Sequence, residues 1–405
     1  MNKRVLFVDD EQKVLDALQR MLRPMRDKWD MKFVSSGQNA LASLSTEPFD
    51  VLITDMRMPD MDGVQLLKEV RNVYPEVVRI VLSGQSGGEM FLKSVRLAHQ
   101  YLSKPCDAEA LRATVERACT LRDWLANNTI KRVVSSMESI PSVPALYAEI
   151  VKALESPDVQ VGRVATIIAR DVGMTAKVLQ LVNSAFFALP QHVTGITQAA
   201  SLLGLDTIKS LVLSVQIFSQ FEEKKMSAFN IDKIWRHSLR VGVAAKAIMK
   251  REIKDQSAID DALMAGTLHD MGKFILAANL PNEYVHIKEV AEMENITLVE
   301  SERKLLGTTH AEIGGYLLAL WALPDSIVEA VTFHHSPDHC LASSMAPMAV
   351  VHLADILEHQ CRSGIKEARG RGFDERYVKK YSDDRIAAWR DICEHIDREE
   401  SDNDG

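Results

Sequence analysis

Apolar residues fall in two rhythms along this chain. Over roughly the first hundred positions, short β-branched runs alternate with segments of helical period. The runs are RVLFV (4–8), KFVS (32–35), DVLITD (50–55), VVRIVLS (77–83) and a short stretch at 100–103. The helical segments cover 12–26, 37–44, 64–70 and 87–97, and in the first of them Val14, Leu15, Leu18 and Leu22 share one side. Runs that are apolar throughout belong to strands covered on both faces. The pattern therefore predicts an α/β domain, a five-stranded parallel sheet with helices on both sides.

From residue 107 the period is helical to the end. Leu111, Val115, Ala118, Leu121, Leu125, Ile130, Val133 and Met137 predict one long helix, or two stacked helices broken near Asn127–Asn128. IPSVP (140–144) closes it, because each proline disfavours helix in the residue before it. Helices are then expected near 144–155, 161–170, 174–184, 196–203, 206–221, 231–252, 259–277, 282–294, 311–321, 325–334 and 346–361. Asp158 and Asp206 are candidate caps, and KSLVLSVQIFSQF reads as a buried central helix. A last amphipathic helix, DDRIAAWRDICEHIDREE, carries Ile386, Trp389, Ile392 and Ile396 on one side. The stretch 362–380 reads as a basic solvated loop, with a local phosphate-binding patch as the alternative, and REESDNDG as a solvated tail. The expected division is 1–122, an α/β domain; 123–140, a helical linker; 141–361, an all-α domain; and 362–405, a helical extension with an acidic tail.

Composition narrows the class. With 405 residues, 46% hydrophobic and 26% charged, the chain reads as a globular protein of two or three domains. A net charge of −8 and the lack of a recognition helix with a basic face argue against direct DNA binding. Five scattered cysteines without CxxC spacing fit a reducing compartment, and no apolar run is long enough for a secretion signal or a membrane span. The expected location is cytoplasmic.

Candidate chemistry sits at the strand ends, where parallel sheets bind ligands. Asp9 and Asp10 follow the first strand, Asp55 ends the third, Ser83 ends the fourth and Lys104 follows the fifth. Converging carboxylates attract a hard divalent cation such as Mg²⁺. With a lysine, that cation would neutralise a phosphoryl group carried by Asp55, and the Ser83 hydroxyl could hydrogen-bond it.

The second cluster lies inside the apolar helices: His237, His269 and Asp270, His310, His334 and His335, and Asp355. Imidazole and carboxylate together suit Zn, Mn or Fe, as one ion or two. On a continuous helix, adjacent His269 and Asp270 point about 100° apart, so they share one ion only at a helix edge or serve two through a bridging carboxylate. His192, His286, His339, His352, His359 and His395 read as ordinary core or surface residues.

Two family resemblances attach to these motifs. VDDE (8–11), TDMRMPDMDG (54–63), LSGQ (82–85) and YLSKPCD (101–107) resemble the receiver domain of two-component response regulators, which has a flavodoxin-like fold. The resemblance implies Asp55 as phosphoacceptor, Asp9 and Asp10 as the Mg²⁺-side acids, Ser83 and Lys104 as phosphate contacts and Tyr101 as the aromatic switch. It also implies a sensor histidine kinase or phosphotransfer protein as donor. IPSVPALYAEI, VLQLVNSAFF, ITQAASLLGLDTIKSLVLS, WRHSLRVGVAAKAI, AGTLHDMGKFIL, THAEIGGYLLALWALP and the His-His pair resemble the HDOD branch of the HD phosphohydrolase superfamily. That resemblance implies His237, His269, Asp270 and Asp355 as ligands of one ion. It implies His310, His334 and His335 as the ligands added in dinuclear members, with Lys273 on the catalytic side. The chain reads HHSPDHCLASS where cyclic-di-GMP phosphodiesterases carry a Gly-Tyr-Pro turn. Two outputs are therefore expected in competition: binding of a downstream signalling protein, with homodimerisation open, or hydrolysis of a nucleotide or cyclic dinucleotide.

Overall fold

The computed structural model describes residues 2–83, 94, 97–124, 130, 133–134, 153, 160–183, 193–203, 231–321, 323–339, 346–363 and 381–403. The helices expected over 87–97, 144–155 and 206–221 lie wholly or mostly outside these residues. So do IPSVP, the caps at Asp158 and Asp206, the break near Asn127–Asn128 and most of the basic loop. Elements are numbered below over the described residues.

The first unit runs β1 (Lys3–Val8), α1 (Gln12–Met21), β2 (Trp29–Val34), α2 (Gly37–Thr46), β3 (Val51–Asp55), α3 (Gly63–Val73), β4 (Val78–Ser83), β5 (Gln100–Ser103) and α4 (Ala108–Trp124). All strand pairings are parallel, in the order β2-β1-β3-β4-β5. Val5, Leu6, Phe7, Val51 and Leu52 have no exposed surface, as strands covered on both faces require. The helix expected over 12–26 stops at Met21, and a 3₁₀ turn, Arg23–Met25, follows. Pro24 has no N–H to continue the ladder. Register does the functional work here. Val8 lies beside Thr54, and Asp55 beside Leu82, so Asp9, Asp55 and the end of β4 finish at one edge of the sheet.

Beyond it the described residues form helices α5 (Val161–Ala169), α6 (Val172–Val182), α7 (Ile196–Leu203), α8 (Ile231–Glu252), α9 (Gln256–Leu268), α10 (Met271–Asn279) and α11 (Pro281–Glu294). They continue with α12 (Leu298–Leu306), α13 (His310–Leu320), α14 (Asp325–Phe333), α15 (Pro347–Ser363) and α16 (Asp383–Asn403). Three of these differ from expectation. The helix expected over 259–277 is two, α9 and α10, broken at His269–Asp270. Helix α12 was not expected. Its start was nevertheless legible in TLVE, where Thr297 accepts from the Glu300 N–H and the Glu300 carboxylate accepts from the Thr297 N–H. And α16 runs through most of the expected solvated tail.

Close approach at glycine brings the helices together. A Cβ on Gly266 would lie 2.8 Å from Gly242 Cα, where α8 crosses α9. One on Gly272 would lie 1.8 Å from the His310 carbonyl oxygen, where α10 meets α13. No other residue fits at either crossing without moving backbone. Helix α16 packs on α8 and α15, with Trp389 fully buried and its indole N–H donating to Glu252 at 2.9 Å. The two units also touch. Helix α4 packs on α13, and the Gln100 side chain of β5 donates a buried hydrogen bond to the Ala319 carbonyl at 3.2 Å. Among the described residues no helix is long and apolar enough to cross a membrane.

Candidate metal centre

At the sheet edge, the Lys104 ammonium donates to Asp9 at 2.6 Å and to Asp55 at 2.5 Å. Burial disfavours its charge, but the two carboxylates outweigh this and raise its pKa above the usual lysine value. Asp9 is buried and Asp10 is exposed beside it. Asp55 Oδ2 accepts from the Arg57 N–H at 2.7 Å, leaving the carboxylate oriented by two donors. Ser83 ends β4, and its side chain lies outside the described residues. Tyr101 is buried, with its hydroxyl 3.0 Å from Ser94 Oγ.

The helical unit brings its seven predicted ligands into one place. His237 comes from α8, His269 and Asp270 from the break between α9 and α10, and His310 from the first position of α13. His334 and His335 follow α14, and Asp355 comes from α15. The break corrects the geometry expected of a continuous helix: His269 closes α9 and Asp270 opens α10, so both face the same centre.

Four of the five imidazoles are oriented from behind. The Nδ1–H of His269 donates to the Gly266 carbonyl at 2.7 Å, and that of His334 to the Val331 carbonyl at 2.8 Å. The Nδ1–H of His237 donates to Glu358 at 2.8 Å, and that of His310 to Glu302 at 2.8 Å. A carbonyl oxygen only accepts, so His269 and His334 carry their proton on Nδ1 when neutral, and Nε2 presents a lone pair. This is the backing that metal-bound histidines receive.

The inward atoms lack partners. His237 Nε2, His269 Nε2, His334 Nε2, Asp270 Oδ1 and Asp355 Oδ1 are buried with no hydrogen-bond partner among the described residues. Such atoms cost about 1–3 kcal/mol each. Five of them approach the roughly 5–15 kcal/mol by which an entire domain is stable. A cation removes the cost. Ligand atoms at about 2.1 Å from a shared ion stand roughly 3.0–3.5 Å apart. His237 Nε2 and Asp355 Oδ1 are 3.1 Å apart, His269 Nε2 and Asp270 Oδ2 3.5 Å, and His310 Nε2 and Asp270 Oδ1 3.3 Å. His335 Nε2 lies 3.1 Å from His310 Nε2.

Two groups emerge, Asp270/His310/His334/His335 and His237/His269/Asp355, each with ligand atoms within 4.8 Å of one another. Asp270 joins them, with Oδ1 toward His310 and His334 and Oδ2 toward His269 and His237. Lys273 donates to Asp270 Oδ2 at 2.6 Å. Burial holds His269, His334 and His335 below the usual imidazole pKa, reinforced for the last two by neighbouring imidazoles, so they are neutral, as ligands must be. Burial also opposes charge on His237, but Asp355 and Glu358 outweigh it and raise its pKa to about 9. A metal ion would displace that proton.

Glu302 and Glu358 escaped the sequence reading because charged helix positions are by default solvent-facing. Here both are buried. Glu302 also accepts from the His310 backbone N–H at 2.9 Å. Glu302→Gln should weaken metal binding about 10–100-fold with the helical content retained, measured by competition with a chromophoric chelator.

Residues 5–116 match the response regulator receiver domain, and residues 140–337 match the HDOD domain. The protein has an N-terminal response-regulator receiver domain and a C-terminal HDOD domain. The HDOD match ends before α15, so Asp355 and Glu358 lie beyond it. An uncharacterized protein of Treponema pallidum (strain Nichols) is 29% identical over 211 residues, which are 51% of this chain and 40% of that one. The hydrogenase transcriptional regulatory protein HoxA of Cupriavidus necator is 42% identical over 116 residues, 28% of this chain and 23% of HoxA. The chain thus spans less than half of either relative. The solved MmoQ response regulator of Methylococcus capsulatus aligns with 62% of this chain and 98% of its own at 24% identity, with a TM-score of 0.48.

Proposed function

We propose that this is a phosphorylation-controlled response regulator whose HDOD output domain is a metalloprotein. Asp55 accepts a phosphoryl group from a sensor histidine kinase or phosphotransfer protein. Asp9 and Asp10 hold the Mg²⁺, while Lys104 and Ser83 contact the phosphoryl oxygens. The HDOD domain, 141–361 with the 362–405 extension, passes the signal to a downstream partner. The observation that carries the link is the buried Gln100–Ala319 hydrogen bond. It ties the strand that leads to Lys104 to the helix that begins at His310. A shift of β5 on phosphorylation therefore pulls on a metal-ligand helix.

Hydrogen exchange tests this. Acyl phosphate with Mg²⁺ should change protection across His310–Leu320 in the wild type and leave Asp55→Asn unchanged. Equal protection in both proteins, with and without the donor, would remove the link.

A second reading, a metal-dependent phosphohydrolase acting on a nucleotide or cyclic dinucleotide, is favoured by Lys273, whose ammonium lies beside the bridging carboxylate. Bound Zn, Mn or Fe would supply Lewis acidity there. The residues' own part is to hold the ions apart at Asp270 and to place a cation, Lys273, where an anionic substrate approaches. A nucleotide hydrolysis screen on metal-loaded protein decides it, with Lys273→Ala expected to lose turnover and keep the metal.

A further inference from the structure

Residue His359 reads as an ordinary core or surface histidine in the sequence, and the structure sets it beside the His/Asp cluster. It lies one turn beyond Asp355 on α15, on the same helix face. Its Nε2 is 3.4 Å from Asp355 Oδ1, and its ring centroid is 4.6 Å from that of His237. The same Asp355 oxygen lies 3.1 Å from His237 Nε2 and 3.8 Å from His269 Nε2. Three imidazole nitrogens thus surround one carboxylate oxygen, and those of His237 and His359 stand at the separation expected between ligands of a common ion, about 3.0–3.5 Å.

Exposure separates it from the others. The His359 side chain is 35% exposed, against 9% for His237, 1% for His269 and 3% for Asp355. An ion held by His237, His269 and Asp355, with Asp270 Oδ2 behind them, has its protein ligands on the buried side. His359 stands on the solvent side. Glu358, the third member of the His237/Glu358/His359 group, is engaged with the Nδ1–H of His237 and the guanidinium of Arg240. It orients His237, whereas the Nε2 of His359 faces the Asp355 carboxylate.

We propose that His359 is an additional ligand that closes the solvent side of the ion held by His237, His269 and Asp355. Closed sites are structural, and catalytic sites keep an open position. The assignment makes this ion the structural one of the pair. Any exchangeable position then belongs to the ion at Asp270, His310, His334 and His335. The inference rests on the metalloprotein reading above.

Cobalt titration of the full chain, stripped by chelator, tests it through the visible ligand-field band. The wild type should bind two Co²⁺. His359→Ala should bind one as the wild type does and the other at least tenfold more weakly, with a shifted band. His359→Gln, which keeps hydrogen bonding but is a poor ligand, should behave like His359→Ala. Unchanged affinity and spectrum in His359→Ala would overturn the assignment alone, as would wild-type affinity in His359→Gln. A wild type that takes up no cobalt would overturn the metal reading and this one with it. Thermal melts of the stripped proteins, equal in all three, exclude misfolding as the cause.

Discussion

Asp270→Asn should abolish binding of both ions, while His237→Ala and His335→Ala should each remove one. The reason is the division of one carboxylate between two groups of ligands. Asp270 Oδ1 is 3.3 Å from His310 Nε2, and Oδ2 is 3.5 Å from His269 Nε2. An amide keeps the shape but loses the charge and offers one weak oxygen. Burial opposes ionisation of Asp270, yet the neighbouring His269 ring and the Lys273 ammonium hold its pKa well below the usual carboxylate range, so it is ionised. The loss should exceed the factor of about 10–100 expected for a residue that only orients a ligand. Calorimetric Zn²⁺ titration of the stripped proteins reads the stoichiometry directly. If Asp270→Asn still binds one ion with wild-type affinity, the carboxylate does not bridge.

The second large effect lies in the receiver. Asp55→Asn should abolish labelling by a small acyl-phosphate donor in the presence of Mg²⁺, read as intact mass. Asp55 ends β3 beside the start of the Asp9 loop because the register pairs Val8 with Thr54. Lys104 already bridges Asp9 and Asp55, so a cationic partner is in place for a doubly charged phosphoryl group. Lys104→Ala should leave labelling possible but disconnect it from the hydrogen-exchange change in His310–Leu320. Equal labelling of wild type and Asp55→Asn would take Asp55 out of the reaction.

Much of this protein was legible in its residues alone, and the reason is local. Strands buried on both faces must be apolar throughout, so RVLFV and DVLITD declare themselves, and their ends locate Asp9 and Asp55. Helices of strong apolar period declare themselves too. Ile196–Leu203 and Ile231–Glu252 fall where their periods put them. Residue chemistry went further, since histidine and aspartate inside greasy helices are costly unless something occupies them. That consideration singled out seven residues that the structure gathers in one place.

Tertiary structure decided the rest. The break at His269–Asp270 leaves no trace in the apolar period, which runs unbroken through 259–277. At the break, Gly272 meets the His310 carbonyl, a contact between residues far apart in sequence. Helix α12 is largely polar, and only its cap announced it. Burial of Glu302 and Glu358 depends on the helices packed around them, which no local pattern encodes. His359 shares its spacing from Asp355 with countless surface residues. Only the packing of α15 against α8, which sets its ring 4.6 Å from that of His237, brings it beside the buried cluster.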